Sequence, residues 1–297
     1  MAQTEKSTIA LGDRPEGRKR AKRVGFMVAI GFLAVLVVIA IAAPLFAPHD
    51  PLEQNLRGIL AGPSPSHPLG TDHLGRDILS RIFYGARPTL ITSVAATVIA
   101  ATVGITLGMV SGYFGSWTDS IIMRMMDFLL AMPAVLLALV VIVTLNPGST
   151  SAMLAVAVVG IPQFARMSRS QVLSLRTREF VLASKAVGAS TPRLLFRVLL
   201  PNAAGPLVAQ AVVIAALAVF LEAALSFLGL GVPPPEPSWG QMVSAGKSYL
   251  QSNPGYALFP GVAIAATILA LDMVANGLRS VFAGEDAELS ELSGKAA

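Results

Sequence analysis

Six stretches of the chain are far more apolar than the segments between them: Val24–Ala47, Pro88–Val110, Ile121–Leu145, Ser149–Ala165, Ala203–Leu230 and Gly255–Leu278. Most approach or exceed the ~20 residues that carry a helix across a ~30 Å hydrocarbon layer. The fourth is short and is interrupted by Pro162. The pattern predicts an all-α polytopic membrane protein with six transmembrane helices.

The polar intervals divide the chain further. Residues 1–23 read as a disordered basic tail, ending in Arg18, Lys19, Arg20, Lys22 and Arg23. Residues 24–47 form the first span. Its Ala40-Ile41-Ala42 has the look of a signal-peptidase site, but the apolar run is too long for a signal peptide, so the segment is read as a retained helix. Residues 48–87 make an external loop, and 88–280 a five-helix core that includes a basic loop at 170–202. Residues 281–297 form an acidic tail.

Composition supports a bilayer as the solvent. Hydrophobic residues are 54% of the chain and charged residues 13%, about half the ~25% of a soluble domain. A soluble core of this length leaves roughly a quarter of the unfolded surface wet, and could not hide so much apolar area. The formal charge of +5 maps onto topology and not onto nucleic acid. With six crossings, 17 of the 22 Lys and Arg residues fall on the side of the termini, and 5 (Arg57, Arg76, Arg81, Arg87, Lys247) on the other. Cytoplasmic loops collect Lys and Arg, so both termini and the 170–202 loop are expected in the cytoplasm. There is no cysteine, hence no disulfide and no thiolate metal site.

The loop holds "EFVLASKAVGASTPRLLFRVLLPN", Glu179 to Asn202. Phe180, Ala183, Ser184 and Val187 share one helical face, and Lys185 lies on another. Gly188 is placed as a left-handed stop. Thr191 can cap a second helix with Pro192 at its first position, carrying Leu194, Leu195, Val198 and Leu199 until Pro201 ends it. A basic, amphipathic helix pair of this kind suits either the groove of a partner protein or an anionic lipid surface.

Ala183, Gly188, Val198, Leu200 and Pro201 fall on the spacing of the coupling-loop signature of ABC importer permeases, although Leu182 and Ser184 replace its Glu and second Ala. Two longer stretches, "HPLGTDHLGRDILSRIFYGAR" (His67–Arg87) and "LSFLGLGVPPPEPSWGQM" (Leu225–Met242), resemble signatures of the C-type permease subunit of dipeptide, oligopeptide and nickel ABC importers. The resemblance spans nearly all of 24–278. It implies a type I ABC importer permease fold in the bacterial inner membrane, with no cofactor of its own. The implied partners are a second, related permease forming a heterodimer, two cytoplasmic ATPases that bind ATP and dock on the coupling loops, and an external binding protein. The implied solute is a peptide or a molecule of similar size. A self-sufficient transporter or channel driven by an ion gradient is the alternative. Internal repeats with interrupted helices would favour it, and none is visible.

Other features carry less. "GQMVSAGKS" (Gly240–Ser248) resembles a P-loop but has five residues between its glycines and follows no strand, so nucleotide binding is not expected. His49, His67 and His73 lie near Asp50, Asp72 and Asp77 at irregular spacings, which predicts loop-ordering hydrogen bonds and ion pairs with no metal site. Glu222, ~28 Å along the fifth span by helical rise, is either a boundary carboxylate paired with Arg76 or Arg81, or a group at the mouth of a pathway that helps to gate it. Gly104, Gly108 and Gly112 form a small-residue stripe for close helix packing. Arg124 and Asp127 can pair on one face, with Asp272 in reach.

Overall fold

The computed structural model describes residues 15–294, with side-chain surroundings for 23–282. Its helices in chain order are α1 (Pro15–Ile41), α2 (Ala43–Phe46), α3 (Ile78–Phe114), α4 (Ser116–Leu130), α5 (Ala134–Leu145), α6 (Ser149–Leu175), α7 (Glu179–Ala186), α8 (Thr191–Arg193), α9 (Leu200–Phe227), α10 (Trp239–Gly246) and α11 (Gly255–Gly294). No strand is present among the described residues. Helix α1 begins within the predicted 1–23 tail, and α11 takes in most of the predicted acidic tail. Residues 1–14 and 295–297 of those two predicted tails, with Lys6, Arg14 and Lys295, lie outside the described residues.

Among the described residues, five segments are long and apolar enough to cross a membrane: Arg23–Ile41, Ile78–Phe114, Ser149–Leu175, Thr191–Phe227 and Gly255–Phe282. The third expected crossing, Ile121–Leu145, is not one helix. It is the pair α4 and α5, bent by 97°. Pro133 has no amide proton for the helical ladder and disfavours helical backbone at Met132, so α4 ends at Leu130 and α5 starts afresh at Ala134. The 12 residues of α5 rise only ~18 Å, so the bent pair α4–α5 makes this crossing together. Gly104, Gly108 and Gly112 of α3 lie in step against Ile161, Ala165 and Arg169 of α6, so those two helices run parallel and the chain between them recrosses the layer.

Prolines elsewhere leave their helices continuous. Pro162 lies inside α6, which runs ten residues past the expected end at Ala165, and Pro88 lies inside α3, which starts ten residues earlier than expected. Asp77 caps that start by accepting the Ser80 amide at 2.8 Å. At 37 residues, α3 is ~55 Å long and reaches well beyond a hydrocarbon layer.

Helices α3, α6 and α9 form the centre, with α11 against α9 and α1 against α11. The outer faces, such as Val28, Val35 and Val38 of α1, stay exposed, as lipid-facing side chains do. The α3–α6 contact is the most extensive, and it runs along the glycine stripe. A Cβ at Gly104 would lie 2.5 Å from the Ile161 carbonyl, and one at Gly108 would collide with the Ala165 carbonyl. At Gly112 the nearest atoms are the Arg169 carbonyl and Val172 Cβ, each at 3.0 Å. Only glycine lets the two backbones approach this closely.

Candidate coupling site and the cap at the opposite end

The 170–202 segment is a hairpin of α7 and the helix that becomes α9. Gly188 has φ +84° and closes α7 through two reversed bonds, its own amide to the Lys185 carbonyl at 2.9 Å and the Ala189 amide to the Ser184 carbonyl at 3.1 Å. These satisfy carbonyls that the helix end would otherwise leave unpaired, and the left-handed backbone favours glycine.

Three details depart from the sequence reading. The residue capping the second helix is Ser190, one before Thr191, and its side chain makes no capping bond. Pro201 does not end that helix: Thr191–Phe227 is continuous, and the turn just before the proline, Leu194–Leu199, is a π-helix. The wider π turn sits where a strict α-helix would set the proline ring against a carbonyl four residues back, and it preserves continuity. Finally, Leu194 and Leu195, read as part of the docking edge, point inward. They are 1% and 4% exposed and pack with Val181, Leu199, Met109 and Val172.

The hairpin therefore has a buried root and a free edge. The edge carries Phe180, Leu182, Val187 and Phe196, all exposed, with Val187 at 89%. Ala183 and Lys185 are exposed beside them, the latter with its ammonium 5.0 Å from the centre of the Tyr113 ring. Pro192, Arg193, Phe196 and Arg197 line an open hollow of about 430 Å³. Val198 and Leu200 are half-buried at the joint with α9.

Beneath the hairpin, Arg169 of α6 forms a two-pronged pair with Asp119 of α4, which also accepts from Ser111 of α3. Arg176 Nη1 donates to the Gly112 carbonyl at 3.1 Å. No sequence signal marks this network, because its bonded members are 8 to 64 residues apart. The expected Arg124–Asp127 pair is not formed. Asp127 instead pairs with Arg166 at 2.6 Å, and Asp272 accepts from Asn276 at 2.9 Å. The facing helix offers Asp127 a better-placed guanidinium than its own helix does.

At the other end of α3 and α9, the two signature stretches pack into a single cap. Trp239 is fully buried and donates from Nε1 to the Ile82 carbonyl at 2.9 Å, lying against Gly85. Asn253 Nδ2 donates to the Thr71 carbonyl at 3.1 Å. His73 Nδ1 lies 2.9 Å from the Tyr256 hydroxyl, and burial holds its pKa below the ordinary value, with Arg76 and Arg81 acting the same way against Asp72. The P-loop look-alike is α10: Gly240 abuts the Ala223 carbonyl and Gly246 the Ala257 amide. Those glycines serve helix packing.

Glu222 lies just beneath the cap and is 1% exposed. Thr89 Oγ1 donates to its Oε2 at 2.9 Å and Ser226 Oγ to its Oε1 at 2.8 Å. It does not pair with Arg76 or Arg81. Those bases surround Asp72, with Arg76 Nε 2.7 Å and Arg81 Nε 3.7 Å from Oδ2, while Arg81 Nη1 donates to the Pro51 carbonyl. The carboxylate thus joins α3 to α9 through hydroxyl donors.

Residues 104–283 match the family described as "Binding-protein-dependent transport system inner membrane component", and residues 21–63 match the "N-terminal TM domain of oligopeptide transport permease C". The chain belongs to this family of inner membrane transport components. Among its curated relatives, the dipeptide transport system permease protein DppC of Alkalihalophilus pseudofirmus is 42% identical over 86% of this chain and 83% of its own length. The DppC of Haemophilus influenzae is 38% identical over 86% and 88%, and the oligopeptide transport system permease protein OppC of Bacillus subtilis 40% identical over 85% and 83%. The resemblance carried by the two signature stretches is thereby established. The fold is also that of a solved inward-facing MetNI methionine ABC transporter, with a TM-score of 0.56, 20% identity, and coverage of 69% of this chain and 97% of that one. Like these relatives, the family member described here is a multi-pass membrane protein with an ABC permease fold.

Proposed function

We propose that the chain forms half of a transmembrane pathway for dipeptides or oligopeptides. A second, related permease supplies the other half, two separate ATPase subunits bind and hydrolyse ATP, and an external binding protein delivers the solute. The hairpin and both termini face the cytoplasm, in keeping with the 17-to-5 distribution of basic residues.

The observation that carries this reading is the two-sided hairpin. Its root is packed into the bundle through Val181, Leu194, Leu195 and Leu199, while Phe180, Leu182, Val187 and Phe196 are left for a partner. Because the second arm continues without interruption into α9, a push on the edge is transmitted along a rigid helix toward the cap. The names of the curated relatives support a peptide as the solute.

The test is uptake of a labelled dipeptide into proteoliposomes holding this chain with its partner permease, ATPases and binding protein. Uptake should require enclosed ATP and every partner. Uptake by the chain alone, driven by an ion gradient, would overturn the proposal.

A further inference from the structure

His49, His67 and Asp77 come from three separate places: the link after α2, the turn that opens the first signature stretch, and the cap of α3. Folding brings one ligand atom from each to within 4.8 Å of the others. The two imidazole rings stack at 4.5 Å and 26°. Both Nδ1 atoms converge on one oxygen, Asp77 Oδ1, at 2.9 Å from His67 and 4.0 Å from His49.

Hydrogen bonding accounts for only part of this arrangement. A proton on His67 Nδ1 satisfies the 2.9 Å contact. His49 Nδ1 is shut off from solvent with no partner among the described residues, and 4.0 Å is too long for a hydrogen bond. We propose that His49, His67 and Asp77 bind one divalent first-row transition ion of the zinc class, which cross-links the 49–67 segment to the start of α3.

Two imidazoles and a carboxylate suit zinc, nickel or cobalt better than the oxygen-seeking calcium or magnesium. With bonds of ~2.0–2.1 Å, neighbouring ligands of a tetrahedral ion lie about 3.3 Å apart, a value that the two histidine–carboxylate distances of 2.9 and 4.0 Å bracket, while the two imidazole ligand atoms lie within 4.8 Å of each other. Small side-chain adjustments therefore admit the ion.

The supporting shell is already in place. Ser80 donates from its amide and its hydroxyl to Asp77 Oδ2, each at 2.8 Å, which leaves Oδ1 for the ion, and its hydroxyl oxygen accepts the His49 amide at 3.1 Å. One serine thus orients the Asp77 carboxylate, as outer partners of metal sites commonly do, and anchors the main chain at His49. This assignment departs from the irregular sequence spacing, which predicted no metal.

The experiment uses the purified full chain in detergent, stripped with a chelator, offered zinc or cobalt(II), and desalted. The parent chain should retain one ion, gain thermal stability with zinc, and show with cobalt an absorption spectrum of low coordination number. His49→Phe and His67→Phe, which keep an aromatic ring in the stack, should lose all three signals. Ser80→Ala should weaken binding by about 10- to 100-fold. The proposal is overturned if the parent retains no ion, or if His49→Phe retains as much as the parent. Should a phenylalanine variant not fold, X-ray absorption of the loaded parent decides: two imidazoles in the first shell uphold the site, and none overturns it.

Discussion

Arg169 and Asp119 meet through two parallel contacts, Nε to Oδ1 at 2.5 Å and Nη2 to Oδ2 at 2.6 Å. Ser111 donates to the same carboxylate, so α3, α4 and α6 are tied at one point beneath the hairpin root. The guanidinium fork fits a carboxylate in a way that an ammonium cannot reproduce. Arg169→Lys should therefore leave the chain folded, with a loss of about 1 kcal/mol or less for a partly exposed pair. It should also lower peptide uptake per ATP hydrolysed, because α4 is no longer held square to the root. Thermal melting and coupled transport assays read the two effects separately. An unchanged coupling ratio would confine the pair to stability.

Gly108 has no room for a side chain, since a Cβ would enter the Ala165 carbonyl. Gly108→Val should separate α3 from α6 and cost about 1–3 kcal/mol or more, seen as a lowered melting temperature and poor recovery of monodisperse protein. Gly31 on α1 has nothing among the described residues within 4 Å of its would-be Cβ, so Gly31→Ala should be silent and serves as the control.

The hairpin separates docking from folding. Val187 is 89% exposed and Leu195 4%. Val187→Asp should fold normally yet lose co-purification with the ATPases. Leu195→Asp, which buries a charge among Val181, Leu199 and Met109, should destabilise the chain itself. Gly188→Pro replaces a φ of +84° with one near −65°, so it should reshape the turn and uncouple hydrolysis from uptake while the bundle stays folded. Normal ATPase binding by Val187→Asp together with normal uptake would remove the docking assignment.

Glu222 ties the far end of α9 to Thr89 of α3, at the opposite end from the hairpin that α9 carries. Glu222→Gln keeps an oxygen acceptor, and the rotatable hydroxyls of Thr89 and Ser226 can re-pair with the amide, so assembly should persist. Uptake should fall if the carboxylate shapes the mouth of the pathway. Uptake at the parental level would assign the residue to packing alone. Glu222→Leu takes the acceptor from Ser226 and leaves Thr89 only its long bond to the Gly85 carbonyl at 3.3 Å, so it should cost about 1–3 kcal/mol on thermal melting.

Much of this protein is local in character and was legible in the chain. The length of an apolar run decides whether a helix can cross a bilayer, and five of the six expected spans contain a continuous helix long enough to do so, the first ending at Ile41 and not at Ala47. The remaining one, Ile121–Leu145, breaks at Pro133, and nothing local separates that proline from Pro88 and Pro162, which lie inside continuous helices. Gly188 reads directly as a left-handed stop, since a positive φ is a property of one residue. The signature stretches Leu225–Met242 and His67–Arg87 pointed to the family before any contact between them was visible.

Tertiary structure decided what depends on partners distant in the chain. Helical periodicity alone could not tell which face of the second hairpin helix turns inward, because both faces are apolar; packing against Met109 and Val172 buries Leu194 and Leu195. Nor could spacing show that Asp127 pairs with Arg166 and not Arg124, or that Glu222 meets hydroxyls and not arginines. His49, His67 and Asp77 look scattered in sequence and converge only because the cap folds back on the start of α3. Backbone preference and solvent partition act within a few residues. Charge pairing, burial and ligand geometry arise only once helices far apart in sequence are set side by side.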